Sequence, residues 1–290
     1  MIPAEFNYAA PATVPEAIAL LQSNQDAKIV SGGQSLIPLM RFRLATPPLL
    51  VDINRIIGLG YIREENGWLR IGATVREDDL DNAPIIRARY PLLRETSRAI
   101  ADPLVRNRAT VCGNLAHADP ANDHPATMLA YRAQVVAHGP NGERVIPIDD
   151  FFLGPFMTAL SPDEILTEVR VPMPAPRSGG AYAKLERKVG DFATAGVAVQ
   201  LNFAASGAIE QIGIGLTNVG PTALRARRSE DILRGQMPAD ELIAQAGRFA
   251  QEDCEPGSDL RGSEEYKRNV VRILTMRAIR QALHVAEVVA

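Results

Sequence analysis

Apolar positions along the chain change their spacing several times, and each change marks an element. In "TVPEAIALLQ" they recur at helical intervals behind a capping box formed by Thr13 and Glu16. Pro15 sits in the first turn, where its missing N–H is harmless, so a helix is predicted to about Gln22. "AKIV" reads as a short strand, "LLVDI" as another, and "GWLRIGATV" as a third that opens a second unit. "PLLRETSRAIA" returns to helical spacing. "AQVVAHGPNGERVIPI" predicts two strands around a Pro-Asn-Gly turn, and "EILTEVRVPMP" a strand ended by prolines.

Residues 172 to 180, "PMPAPRSGG", have the composition of a linker, and a domain boundary is expected there. Beyond it, "GVAVQLNF" and "IEQIGIGLTNV" read as antiparallel strands joined by "AASGA". "SEDILRG" and "PADELIAQAGRFAQ" read as short helices. Ser263 is placed to cap a long one on which Tyr266, Val270, Leu274, Ala278 and Ala282 share a face assigned to core packing.

Composition narrows the class. The chain has 290 residues, 46% of them hydrophobic, enough for one large domain or two ordinary ones. Lys and Arg number 31 against 34 Asp and Glu, so the balance of −3 points away from a nucleic-acid surface. No apolar run approaches the ~20 residues of a membrane span, and the opening "MIPAEFNYAAPATVPEA" does not read as a leader, so a cytoplasmic location is expected. Cys112 and Cys254 form no CxxC pair and the four histidines no HExxH. Neither a disulfide framework, a structural zinc, an iron–sulfur cluster nor any other metal is expected in this chain.

Two segments carry candidate chemistry. In "SGGQSL", Gly32 and Gly33 follow a strand, where successive backbone N–H groups can face an anion without a Cβ in the way. Ser31 and Ser35 add hydroxyls and Gln34 an amide. The pattern suits a diphosphate cradle and equally an ordinary tight turn, and it is not the GxGxxG of a Rossmann site. The second segment, "RNRATVCGNLAHADPANDHPA", has a small-residue turn at Thr110, Gly113 and Asn114 and a polar loop ending at Asp123. Small polar groups suit phosphate oxygens and a carboxylate suits sugar or ribityl hydroxyls, a division fit for a dinucleotide. Asx turns around Asp119-Pro120 and Asn122-Asp123 explain the same spacing.

The order of six motifs makes the resemblance specific. "GGQSLIPLMRFRLA", "TVCGNLAHADPANDHPA", "EILTEVRVP", "YAKLERKVGDFATAGVAV", "LTNVGPTALRA" and "GSEEYKRNVVRILTMRA" together resemble the FAD-binding medium subunit of the molybdenum hydroxylases, over nearly the whole chain. That family includes carbon monoxide, nicotine and caffeine dehydrogenases and the flavin domain of xanthine dehydrogenase. The resemblance implies an α+β fold: a two-subdomain FAD-binding domain of the vanillyl-alcohol-oxidase (PCMH) type over 1–175, divided near 55/56, and a CO-dehydrogenase-flavoprotein-like C-terminal domain over 176–290.

It also implies roles. Ser31, Gly32, Gly33, Gln34, Ser35 and Leu36 match the first diphosphate loop, and Thr110, Val111, Cys112, Gly113 and Asn114 the second. Asp123 matches an acid contacting the sugar and ribityl region, and Leu166 a backbone contact near the adenine. Lys184 matches a lysine near the isoalloxazine, and Phe192 falls where some relatives carry a tyrosine against the ring. Many relatives have two glycines where this chain reads Val-Cys-Gly, so Cys112 is expected to adopt backbone angles that glycine often takes. A lone buried thiol there reads as packing, with a redox role the alternative. Gln34 replaces a histidine common in carbon monoxide dehydrogenases, which favours an organic substrate.

The implied function is non-covalent FAD binding within an oxidoreductase complex. A large subunit would hold the molybdenum cofactor, a small subunit the [2Fe–2S] clusters, and this chain would pass electrons from those clusters to an external acceptor, in a dimer of heterotrimers. A stand-alone flavin oxidase or dehydrogenase and a flavin-free scaffold are the alternatives. The C-terminal third shows no acid/base cluster of the kind the first would need.

Overall fold

The computed structural model describes residues 2–288. The first unit is a three-stranded parallel sheet in the order β1-β3-β2, built from β1 (Asn7–Ala9), β2 (Lys28–Val30) and β3 (Leu49–Asp52). Between β1 and β2 runs α1 (Val14–Ser23). Its capping box is formed: Glu16 N donates to Thr13 Oγ1 at 3.3 Å, and Ala12 N to Glu16 Oε2 at 2.8 Å. Ala17, Ile18 and Leu21 bury its inner face. A short helix, α2 (Leu36–Arg41), follows the glycine pair.

The second unit is a five-stranded antiparallel sheet, order β4-β5-β10-β6-β7, wrapped by helices. Its strands are β4 (Ile62–Glu65), β5 (Trp68–Gly72), β6 (Gln134–Gly139) and β7 (Gly142–Pro147). A two-stranded hairpin, β8 (Phe152–Gly154) with β9 (Met157–Thr158), precedes the central β10 (Ile165–Pro172). The strand predicted from "GWLRIGATV" has a partner the apolar pattern did not show. β4 alternates half-buried and exposed positions, and it joins β5 through Asn66 and Gly67, both at positive φ. Between β5 and β6 lie six short helices: α3 (Glu77–Asn82), α4 (Pro84–Arg89), α5 (Pro91–Ala99), α6 (Pro103–Arg106), α7 (Val111–His117) and α8 (His124–Tyr131). Only α5 was predicted. The others are too short for a clear period, but proline opens α4 and α6 and sits in the first turn of α8.

The third unit is a four-stranded antiparallel sheet, β11 (Ser178–Leu185), β12 (Ala195–Phe203), β13 (Ile209–Thr217) and β14 (Leu224–Arg225), backed by α9 (Arg227–Leu233), α10 (Asp240–Asp253) and α11 (Glu264–Val288). The expected linker is shorter than its composition implied. β10 ends at Pro172 and β11 begins at Ser178, and Gly179 belongs to the strand, where it lets α11 pack closely: a Cβ there would stand 2.1 Å from the Ala282 carbonyl. Ser263 does cap α11, with Tyr266 N donating to its Oγ at 3.2 Å. The predicted face is rotated at its start. Leu274, Ala278 and Ala282 are buried, but Tyr266 is exposed, and Lys267 and Val271 take the inward positions.

Two hydrophobic clusters result. One spans Ala17 to Val171 and draws in Tyr182, Ala198 and Ala223; the other runs from Ala181 to Ala286. The element between the sheets is α8, buried along its whole length. It lies directly on β13 because Gly213 and Gly215 present no side chain: a Cβ at either would fall 2.0 and 1.9 Å from the carbonyls of Ala130 and Ala126. That contact fixes Asp123, the residue just before α8, against the edge of the C-terminal sheet.

Candidate functional site

The two glycine-bearing segments meet. A Cβ on Gly32 would lie 2.5 Å from the Arg108 carbonyl and 2.9 Å from Ala109 Cα, so only glycine lets the loop after β2 touch the approach to α7. Gly33 turns the chain at φ +72°, and the Ile37 N–H then bonds its carbonyl at 3.0 Å as α2 starts. Ser31 is held twice, its Oγ donating to the Ala73 carbonyl at 3.2 Å and its own carbonyl accepting from Asn54 Nδ2 at 2.9 Å. Arg76 ties the segments together. Its guanidinium donates to the Arg108 carbonyl at 2.6 Å and to Asn54 Oδ1, while Glu77 N bonds the Ala109 carbonyl at 2.9 Å. Burial, then the neighbouring Arg108, lowers the Arg76 guanidinium from its ordinary range, against the opposing pull of Asp79 and Asp52.

The second segment is a helix start and not the turn expected from its small residues. Thr110 is the N-cap of α7, accepting from Gly113 N at 3.2 Å, and Val111, Cys112, Gly113 and Asn114 are helical. Cys112 therefore has no glycine-like backbone, which corrects the expectation drawn from its position. A helical conformation suits any residue there, and Cys112 is absent from the positive-φ positions among the described residues. The thiol is buried in the main cluster and burial pushes it far above its ordinary range, which keeps it un-ionised.

Asn114 leaves its Oδ1 buried without a partner, while its carbonyl accepts from Asn122 Nδ2 at 2.8 Å. A buried acceptor left open beside two converging loops fits a ligand that brings donors.

Asp123 anchors the other end of the site. Its Oδ1 accepts from the Tyr182 hydroxyl, and its Oδ2 lies 3.2 Å from Lys184 Nζ. Lys184 also donates to the Ala99 carbonyl at 2.9 Å and stands 3.2 Å from Glu186 Oε2. The lysine and aspartate side chains are only 6% and 8% exposed, so this is a buried pair and not the surface ion pair that sequence alone allows. Burial raises the Asp123 carboxyl; Lys184 and the Tyr182 hydroxyl pull the other way. Burial and the Asp123 charge raise the Tyr182 phenol in turn, so it stays a donor. Tyr182 and Lys184 share one face of β11 and Glu186 follows just past its end, a period-two spacing in the sequence that could have drawn Tyr182 and Glu186 into the prediction.

Leu166 is buried in β10, the central strand of its sheet, and pairs with Ala137 of β6. Phe192 is half exposed, with the Arg261 guanidinium 6.0 Å from its ring. Sequence reasoning also missed Asn54, Arg76 and Arg108; an Asn or Arg in a loop carries no periodic signal, and only the tertiary contact reveals them. Among the described residues no group of His, Cys, Asp and Glu could hold a metal ion, and no helix is long and apolar enough to cross a membrane.

A junction that only glycine permits, an open buried acceptor and a buried carboxylate–lysine pair thus lie among the residues singled out in the sequence. Residues 4–174 match the family described as FAD binding domain in molybdopterin dehydrogenase, and residues 180–282 match the CO dehydrogenase flavoprotein C-terminal domain. The chain belongs to this family of FAD-binding medium subunits of molybdenum hydroxylases, and its two-domain α+β fold is the family's. It is 48% identical to the carbon monoxide dehydrogenase medium chain of Hydrogenophaga pseudoflava, over 97% of this chain and 98% of that one. It is 37% identical to the 6-hydroxypseudooxynicotine dehydrogenase complex subunit alpha of Paenarthrobacter nicotinovorans, over 98% and 96%. Among solved structures, carbon monoxide dehydrogenase from Hydrogenophaga pseudoflava superposes with a TM-score of 0.95, covering 98% of this chain and 99% of that one at 48% identity. Quinoline 2-oxidoreductase from Pseudomonas putida 86 superposes at 0.92 with 33% identity, covering 99% of both chains.

Proposed function

We propose that this chain is the exit station of a molybdenum hydroxylase: it takes electrons from [2Fe–2S] clusters on a small subunit and delivers them to an external acceptor, substrate being oxidised on a large molybdenum subunit. FAD, when bound, supplies a centre able to exchange electrons with one-electron and two-electron partners. In this reading Ser31–Leu36 and Thr110–Asn114 hold the diphosphate, with Arg76 and Arg108 adding positive potential. Asp123 accepts from ribityl or sugar hydroxyls through the lone pairs that Tyr182 and Lys184 leave free. Lys184 sets a fixed positive charge near the ring, Leu166 offers backbone near the adenine, and Phe192 screens the ring from water. The domain boundary belongs between residues 175 and 176, the assembly is a dimer of heterotrimers, and the location is cytoplasmic.

The observation that supports this reading is the close approach of Gly32 to the Arg108 carbonyl, which brings together two loops far apart in sequence. The relatives act on carbon monoxide, nicotine, glyceraldehyde and caffeine by name, yet resemble this chain along its whole length. A subunit shared across such different substrates does not choose among them, so Gln34 is a weak guide to substrate.

The test is to purify the chain, precipitate it with acid and chromatograph the supernatant. About one FAD per chain, released without covalent attachment, is expected for a dinucleotide site. In the assembled complex, removing FAD should abolish delivery to the acceptor while substrate still reduces the clusters. Equal acceptor reduction without flavin would overturn the proposal in favour of a scaffold, and turnover by the isolated chain would favour a stand-alone flavin enzyme.

A further inference from the structure

At the opposite end of α8 from Asp123 lies a second charged cleft. Asp123 precedes the helix and Arg132 follows it, a separation of about 13 Å along its axis. The cleft has a volume of about 530 Å³ and is lined by Arg132, Arg225, Arg227, Arg234, Glu230 and Asp231, with Glu210 and Gln211 at its edge. That is within the usual size of a small-molecule site.

Its floor is the fully buried Glu230, whose acceptors are already filled. Glu230 Oε1 accepts from Ile214 N at 3.0 Å and from Arg225 Nε at 2.8 Å, and Oε2 accepts from Arg225 Nη2 at 2.7 Å. Two more guanidiniums approach the same carboxylate without reaching it: Arg132 Nη2 stands at 3.6 Å and Arg234 Nη2 at 3.9 Å. Asp149 is likewise taken, by Arg225 Nη1 at 3.1 Å and Arg227 Nη2 at 2.7 Å, and Glu210 by Asn202 Nδ2 at 2.6 Å. Among the described residues the side chains of Arg132, Arg227 and Arg234 each make a single hydrogen bond, to the Ile212 carbonyl, Asp149 and Asp231.

Each arginine in the cleft has an acidic partner, yet the guanidiniums of Arg132, Arg227 and Arg234 keep N–H groups that bond nothing among the described residues. Burial, then Arg225, holds the Arg132 guanidinium below its ordinary range, although Glu230 and Asp149 pull the other way. Arg132 is also kept in left-handed backbone geometry, φ +54°, where glycine or asparagine would be ordinary.

We propose that this cleft is a binding site for a phosphate-bearing anion, held by Arg132, Arg227 and Arg234 above the Arg225–Glu230 pair. Guanidinium forks match phosphate oxygens in pairs, and three with unused N–H groups around one cavity suit a diphosphate better than a single phosphate. The site joins the two halves of the molecule, since Arg132 and Asp149 come from the first and Arg225, Glu230 and Arg234 from the second. It is separate from the candidate flavin site and does not depend on that reading.

The experiment uses the FAD-loaded chain, so that the flavin site is filled, and titrates pyrophosphate and ADP by calorimetry against sodium chloride at equal ionic strength. Saturable binding is expected in the wild type. Arg132→Gln and Arg234→Gln should each weaken it about tenfold, the effect of one charge-assisted hydrogen bond, with flavin content and visible spectrum unchanged. Arg227→Gln changes a side chain 65% exposed, so it keeps the test valid if a buried variant fails to fold. ADP binding at least tenfold tighter than pyrophosphate would identify the anion as a nucleotide, and equal binding as free diphosphate. No saturable binding, or binding indifferent to all three substitutions, overturns the proposal.

Discussion

Lys184 reaches from β11 to Asp123, its Nζ 3.2 Å from Oδ2, with both side chains withdrawn from solvent. A buried carboxylate without its cation is strongly unfavourable, so Lys184→Met should destabilise the chain by about 3–5 kcal/mol near neutral pH. The sign of the pH dependence follows from Asp123. Burial already raises its carboxyl in the folded state, so ionisation opposes folding as pH rises through the folded value. Losing Lys184 raises it further. The gap between wild type and variant should therefore shrink as pH is lowered, and Lys184→Met with Asp123→Asn should recover much of the loss. Urea unfolding of the four proteins of this cycle across pH 4 to 8 checks it, and a gap independent of pH would refute the coupling.

Gly32→Ala tests whether the two loops form one site. The added methyl meets the Arg108 carbonyl at 2.5 Å, and backbone cannot swing aside as a side chain can. Overpacking of this kind costs about 1–3 kcal/mol. Flavin affinity should fall by more than stability does, because the displacement opens the junction itself. Fluorescence titration of FAD beside thermal unfolding separates the two effects. Unchanged affinity would mean that the loops act independently.

Thr110 has a local role that can be measured apart from any ligand. Its hydroxyl caps α7 through Gly113 N, and Thr110→Val should cost about 1 kcal/mol while Thr110→Ser costs little. If the same hydroxyl also faces the diphosphate, the valine variant loses FAD affinity and the serine variant keeps it. Equal affinity in all three proteins would confine Thr110 to capping.

These tests fall where the sequence was least informative. Long regular elements were legible: α1 from its capping box, β6 and β7 from the turn between them, β12 and β13 from alternation, α11 from Ser263 and its apolar spacing. Apart from α5, the short helices between β5 and β6 were not, because a helix of four to eight residues completes too few turns to show a period. That explains the misreading at Cys112: "TVCGN" has a turn's composition, yet Thr110 at its head caps a helix. The loop residues of the site were named through resemblance, while the groups that hold them in place, Asn54, Arg76 and Tyr182, are visible only once distant segments meet.

Acid stability should depend on Glu168, in the central strand of the five-stranded sheet. Its carboxylate is 3% exposed and accepts from Arg70 Nε at 2.6 Å, from Arg170 Nε at 2.5 Å and from the Tyr61 hydroxyl. Burial alone would raise this acid, but the two guanidiniums and the phenol outweigh it and the carboxyl lies below its ordinary value of 4.5. A depressed acid stabilises the fold above its unfolded value and loses that contribution as pH falls through the folded one. Glu168→Gln keeps the shape and removes the charge, leaving Arg70 and Arg170 with one fewer anion. The expected loss is about 2–4 kcal/mol at pH 7, shrinking steadily below pH 4.5 as the wild-type carboxylate takes up its proton. Urea midpoints from pH 3 to 7 read this directly. Parallel curves for the two proteins would show that the arginines are held by other contacts and that Glu168 contributes shape alone.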